Sequence, residues 1–150
     1  LRTTKPGEAA WLTPRALLSL AGSPVRIPVT GPPGTHAAMN LPGEAEGFAR
    51  TVTADSPWRN EIAPGVFATV ALHRPLAHAA RVTCPVWVGA GEHDITVDFK
   101  SAEKFAARAP RGEFHRYPYD HFEPFYGDAP ARISADQVEF LGRQGLATAT

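Results

Sequence analysis

The apolar positions of this chain change grammar near residue 82, and the second grammar is the more regular. "CPVWVGA", residues 84–90, is a continuous β-rich run that predicts a strand buried on both faces. "DFKSAEKFAARAP" follows, with Phe99, Ala102, Phe105, Ala106 and Ala109 at helical spacing and Lys and Glu on the other face. "GEFHRYPY" then predicts a second short strand after a Gly turn. "ARISADQVEFLGRQGL" places Ile133, Val138, Phe140 and Leu141 on a terminal amphipathic helix. Strand, helix, strand, helix is a βαβα unit, which implies parallel strands joined by a right-handed crossover. Two parallel strands do not make an independent sheet with both faces covered. The fold class predicted is therefore α/β, with the last seventy or so residues as the edge of a larger sheet.

The first half is punctuated differently. Residues 7–21 carry Ala10, Leu12, Leu17, Leu18 and Leu20 in a helix-like pattern, with Pro14 breaking or starting it. "VRIPV" reads as a brief extended piece and "TGPPGTHAAMN" as a loop. "EAEGFARTV" and "PGVFATVALHRPLAHAA" read as short helices, the second divided or kinked at Pro75. The fifteen prolines of the chain, about twice ordinary usage, gather in "SPVRIPVTGPPG", "DSPW" and "HRPL". Such density favours short helices between rigid turns.

Composition narrows the function classes. At 150 residues the chain suits one domain with a sizeable core. With 43% hydrophobic and 20% charged residues it reads as globular rather than disordered. Fifteen Lys and Arg balance fifteen Asp and Glu, so no basic field draws it to nucleic acid or an anionic membrane. No apolar run reaches the roughly 18–20 residues of a membrane span. The single Cys84 excludes an internal disulfide and a cysteine metal cluster, which fits a cytoplasmic setting. The start, "LRTTKPGEAAW", has neither Met nor a leader and reads as an internal start, any signal lying upstream.

In open α/β sheets, functional groups collect at the carboxyl ends of the strands. The first strand runs into Gly91-Glu92-His93-Asp94, and the second into "YDHFEPF" with His121. A crossover returns the chain to the same edge, so Asp94 and His121 can be neighbours. A carboxylate beside an imidazole fixes the ring's tautomer and stabilises its protonated form. Taken singly, Asp94 is equally a turn or N-cap residue and His121 a surface loop residue. Together with His93 and Asp120 they would also make a four-ligand metal set, against which adjacent residues of an extended segment rarely point the same way. Glu92 and Glu123 read as solvated loop charges, His115 as a face residue of the sheet, and Cys84 as a small buried hydrophobe. Trp11, Trp58 and Phe67 are either local core or the lining of an acyl pocket. Gly31-Pro-Pro-Gly34 lacks the Lys-Ser/Thr and preceding strand of a phosphate loop.

The pieces "CPVWVGAGEHD", "SAEKFAARAP", "EFHRYPYDHFEPF" and "ADQVEFLGRQ", in that order over residues 82–146, resemble the C-terminal end of α/β-hydrolase-fold enzymes. In that family a strand ending G-x-x-D presents the catalytic acid, and a later loop carries the catalytic histidine. The resemblance implies that Asp94 is the acid and His121 the general base of a nucleophile–His–Asp triad. "GPPGTHAAM" and "SPWRNEIAP" resemble esterase-like or dienelactone-hydrolase-like members.

No Gly-x-Ser-x-Gly nucleophile elbow occurs in the chain. The expectation is thus the C-terminal portion of an α/β-hydrolase fold: residues 1–80 a mostly helical lid, residues 81–150 the C-terminal part of the core. Its partners would be the missing N-terminal part of the same protein and a small-molecule ester or amide, without nucleic acid, membrane, cofactor or metal. An upstream Ser would make it an esterase, while an upstream Asp would indicate dehalogenase or epoxide-hydrolase chemistry. A hydrolase-like binding or regulatory domain without turnover is the rival from another class. Oligomeric state is not legible, and the chain alone is expected to be inactive.

Overall fold

Proline sets the shape of the first unit without stopping its first helix. The computed structural model describes residues 6–146. Helix α1, Pro6–Leu20, continues through Pro14, where the sequence pattern suggested a break or a start. Pro14 removes one helical donor, and one turn earlier the Arg15 guanidinium donates to the Trp11 carbonyl at 2.9 Å. The helix ends at Gly22, whose φ of 86° suits a residue without a β-carbon. There the amides of Ser23 and Gly22 bond the Leu18 and Ser19 carbonyls, a Schellman closure.

Helices α2, Glu44–Thr51, and α3, Gly65–Leu72, follow within the segments read as short helices. α3 packs on α1. Gly65 permits the approach, since a β-carbon there would press within 3.3 Å of the Leu20 side chain. Between the helices, Ile27 pairs with Ile62 and Thr30 with Met39 as isolated bridges. Asn60 fastens this segment, accepting from the Val29 and Thr30 amides and donating to the Thr30 carbonyl. Ile27 and Ala16 are buried, whereas Leu17 and Leu18 are 61% and 53% exposed. The leucines of α1 therefore do not form a buried stripe within this unit.

The chain divides into two compact units that meet in sequence between Arg74 and Pro75. The second opens with the short helix α4, Pro75–His78, and a 3₁₀ turn at Ala79–Arg81. Strand β1, Val86–Gly91, helix α5, Phe99–Arg108, strand β2, Gly112–Tyr117, and helix α6, Ala129–Arg143, complete it. β1 and β2 pair in parallel, in register from Val86 with Gly112 to Gly91 with Tyr117. This is a mixed helix-and-strand fold with a small parallel sheet. Gly112 starts β2 directly under α5, where a β-carbon would strike the Ala106 carbonyl.

Burial differs from the sequence expectation on α6, where Val138 and Leu141 are exposed, and in β1 and at Cys84. β1 is half-buried rather than buried on both faces, and Gly89 is exposed. A two-stranded sheet covers each strand from one side only, so an apolar run does not by itself secure full burial. Cys84 is exposed, not a buried hydrophobe, because the ladder begins two residues later at Val86. The core of the unit is Ala79, Ala106, Ala109, Tyr117, Phe122, Ala129 and Phe140. Tyr117 joins strand to helix: its hydroxyl donates to Asp136 of α6 at 2.5 Å. Burial, then this carboxylate, pushes the Tyr117 phenol well above its ordinary pKa.

Candidate functional site

The two loops that leave the carboxyl ends of β1 and β2 are stitched together before either side chain of interest appears. Beyond the last strand pair, the Glu92 amide donates to the Tyr117 carbonyl at 2.8 Å and the His93 amide to the Tyr119 carbonyl at 3.1 Å. Gly91 makes this possible, because Tyr119 passes too close to tolerate a β-carbon. The stitched loops set Asp94 and His121 side by side.

Asp94 uses its two carboxylate oxygens for different tasks. Oδ1 accepts the amides of Thr96 and Val97, each at 2.8 Å, and so closes its own loop as an Asx turn. Oδ2 lies 2.9 Å from His121 Nδ1. The Asp94 side chain is 14% exposed and that of His121 31%, so their contact is partly shielded from water. A carboxylate can only accept, which puts the imidazole proton on Nδ1 and leaves Nε2 as the nitrogen able to take another.

The loop around His121 is internally braced. Asp120 Oδ1 accepts the amides of Phe122 and Glu123, and Glu123 Oε2 accepts the amide of Asp120. Glu123 is therefore half-buried and hydrogen-bonded, not the solvated charge expected from sequence. Glu92 is exposed and pairs with Arg116 at 3.8 Å, and His93 is an exposed turn residue. His115 lies on β2, its ring stacked on Trp87 and its Nε2 2.7 Å from Glu113. Asp120 and Glu123 stand at the D-x-x-E spacing of a reciprocal cap, a signal present in the sequence but not read there.

Beside the pair lies a cavity of about 240 Å³. Ala90, Val97, Phe99, Ala102 and Pro124 supply apolar wall, and Asp94, Asp120 and His121 supply its polar part. Among the described residues no three His, Cys, Asp or Glu side chains gather as metal ligands. Asp120 turns its carboxylate into its own loop, so the set His93, Asp94, Asp120 and His121 does not converge. Nor does Cys84 reach the pair: it precedes β1 while Asp94 follows it, and six strand residues span roughly 20 Å. Trp11 stacks on His36, and Trp58 meets Phe48 with the rings tilted by 42°, contacts within the first unit itself. Among the described residues no helix is long and apolar enough to cross a membrane.

No protein-family model matches the chain. Among curated proteins it is similar to the quorum-quenching protein AidA of Acinetobacter baumannii (strain MDR-ZJ06), with 28% identity over 124 residues. That match takes in 83% of this chain and 41% of AidA. Among solved structures it is similar in fold to DcsB, determined in complex with its substrate analogue, at a TM-score of 0.69 and 16% identity. The superposition covers 96% of this chain and 53% of DcsB. The chain thus spans about half or less of the length of the proteins it matches.

Proposed function

We propose that the chain is the C-terminal part of an α/β-hydrolase-fold enzyme that cleaves a small carboxylic ester or, less readily, an amide. The observation that carries this reading is the 2.9 Å contact of His121 Nδ1 with Asp94 Oδ2 at the carboxyl ends of adjacent parallel strands. The fold likeness to DcsB supports it, as does the similarity to a protein that quenches quorum signalling. The substrate analogue bound to DcsB fits an enzyme. The first unit would be the lid-like region of that enzyme.

In this mechanism a nucleophile upstream of the chain, a serine hydroxyl, attacks the substrate carbonyl carbon. His121 Nε2 takes the hydroxyl proton as the new C–O bond forms, and Asp94 stabilises the resulting imidazolium. The same Nε2 returns the proton to the departing alcohol oxygen as the ester C–O bond breaks. Water then attacks the acyl-enzyme, giving its proton to His121, and the serine leaves with that proton to release the acid. Backbone donors outside this chain hold the oxyanion.

The deciding experiment is turnover of a p-nitrophenyl ester panel by the full-length protein and its Asp94→Asn and His121→Ala variants. Loss of activity in both supports the triad. Normal turnover in both would overturn it.

A further inference from the structure

His121 sits inside a closed loop of hydrogen bonds, and we propose that Asp120 and Glu123 are positioning residues that hold its imidazole against Asp94. This inference rests on the reading of His121 as general base, and its test separates the two. Asp120 Oδ1 accepts the Phe122 amide at 2.7 Å and the Glu123 amide at 2.8 Å. In return, Glu123 Oε2 accepts the Asp120 amide at 2.6 Å. Each carboxylate thus closes the backbone of the other, as in a capping box, and His121 is enclosed by that pair. The turn that the box starts is the 3₁₀ segment Glu123–Phe125, continued by the Phe125 and Tyr126 amides bonding the Phe122 and Glu123 carbonyls.

Neither carboxylate touches the imidazole by any of these bonds; both act on its backbone. The ring is then fixed from two further directions. Phe122 is buried and meets the imidazole edge-on, with centroids 4.9 Å apart and planes at 90°. Asp94 engages Nδ1. With backbone, ring face and Nδ1 all constrained, Nε2 is held in one place. A base displaced by about 1 Å loses on the order of 100-fold in rate, so bracing of this kind bears on kcat rather than on substrate binding.

The bonds that matter are accepted by oxygen, whether or not it is charged. Asn at 120 and Gln at 123 keep an acceptor carbonyl, while Ala at either position removes it. If the two groups acted instead through their charge, the amide variants would be as impaired as the alanine ones. That contrast separates positioning from electrostatics.

The test uses the full-length protein, with p-nitrophenyl ester kinetics and the NMR resonance of the His121 Nδ1 proton read in parallel. Glu123→Ala and Asp120→Ala are expected to lower kcat by about 10- to 100-fold with KM within about 2-fold, and to weaken that resonance. Glu123→Gln and Asp120→Asn are expected to keep both. Wild-type kcat and resonance in the alanine variants overturn the proposal, and so do amide variants as impaired as the alanine ones. If the alanine variants fail to fold, the amide pair decides: loss of kcat or resonance in either overturns it. Should His121→Ala retain wild-type turnover, the general-base reading fails, and the resonance in Glu123→Ala alone decides positioning.

Discussion

A β-carbon on Gly91 would lie 2.3 Å from the carbonyl oxygen of Tyr119, far inside van der Waals contact. The obstruction is backbone, which cannot swing away as a long side chain can. The same glycine forms the last pair of the β1–β2 ladder, opposite Tyr117, before the loops of Asp94 and His121 diverge. Gly91→Ala must therefore push the two loops apart. We expect a loss of about 1–3 kcal/mol in stability, the range for overpacking. We also expect a fall in turnover on the order of 100-fold, since the imidazole moves with Tyr119. Thermal denaturation and ester kinetics of the full-length variant check both; a Gly91→Ala protein equal to wild type in each would refute the close approach.

Asp94→Asn tests the other half of the site. Asn can keep its Oδ1 bonds to Thr96 and Val97, so the loop should stay closed. Its amide then faces His121 Nδ1 with a donor where a carboxylate accepted. The imidazole must place its proton on Nε2, the wrong nitrogen for a base. By analogy with triads of known mechanism, kcat should fall by about four orders of magnitude. Stability should change little. A variant that melts early but turns over normally would show Asp94 to be a loop-closing residue alone.

What the residue pattern disclosed, and what it did not, follows from which forces leave a trace in one dimension. Periodicity located α5 and α6, although Val138 and Leu141 of α6 stay exposed, and strand-end logic paired Asp94 with His121. Pro14 misled because a helix can carry a missing donor when the rest of its bonds are kept. Cys84 misled because the run of apolar letters began before the ladder did. Gly91 showed itself only as the glycine of the G-x-x-D strand end: its steric relation to Tyr119, twenty-eight positions away, is one that only the fold creates. Asp120 and Glu123 did leave one, the D-x-x-E spacing, hidden by the habit of reading loop acids as solvated.

Tyr117→Phe separates a packing role from a hydrogen-bonding one. The ring would remain in the core while the bond to Asp136 is lost, at a cost of about 1 kcal/mol. The folded phenol has its pKa raised above the ordinary value of 10.0 by burial and by Asp136. The unfolded phenol ionises first as pH climbs, so the stabilisation is complete below pH 10 and is lost as pH rises beyond it. The wild type should therefore lose its advantage over Tyr117→Phe in alkali. Denaturant melts between pH 8 and about 11 check this; a constant difference across that window would contradict it.

The acid side of the stability profile should depend on Glu113. Its carboxylate accepts from Arg143 of α6, a tie that joins β2 to the last helix, and lies 2.7 Å from His115 Nε2 on its own strand. The Arg143 bond first, then His115, holds its pKa below the ordinary 4.5. A depressed carboxylate pKa stabilises the fold above the unfolded value and ceases to do so as pH falls through the folded one. Both partners of the Arg143 pair are substantially exposed, so the effect at neutral pH is small and fades with salt. Glu113→Gln should accordingly melt slightly below wild type at pH 7. The two curves should converge once the pH drops under the range of an ordinary carboxylate. Paired thermal melts at pH 7 and pH 3, in low and high salt, read this directly. If the gap between the proteins widens in acid, the carboxylate is not the group that ties β2 to α6.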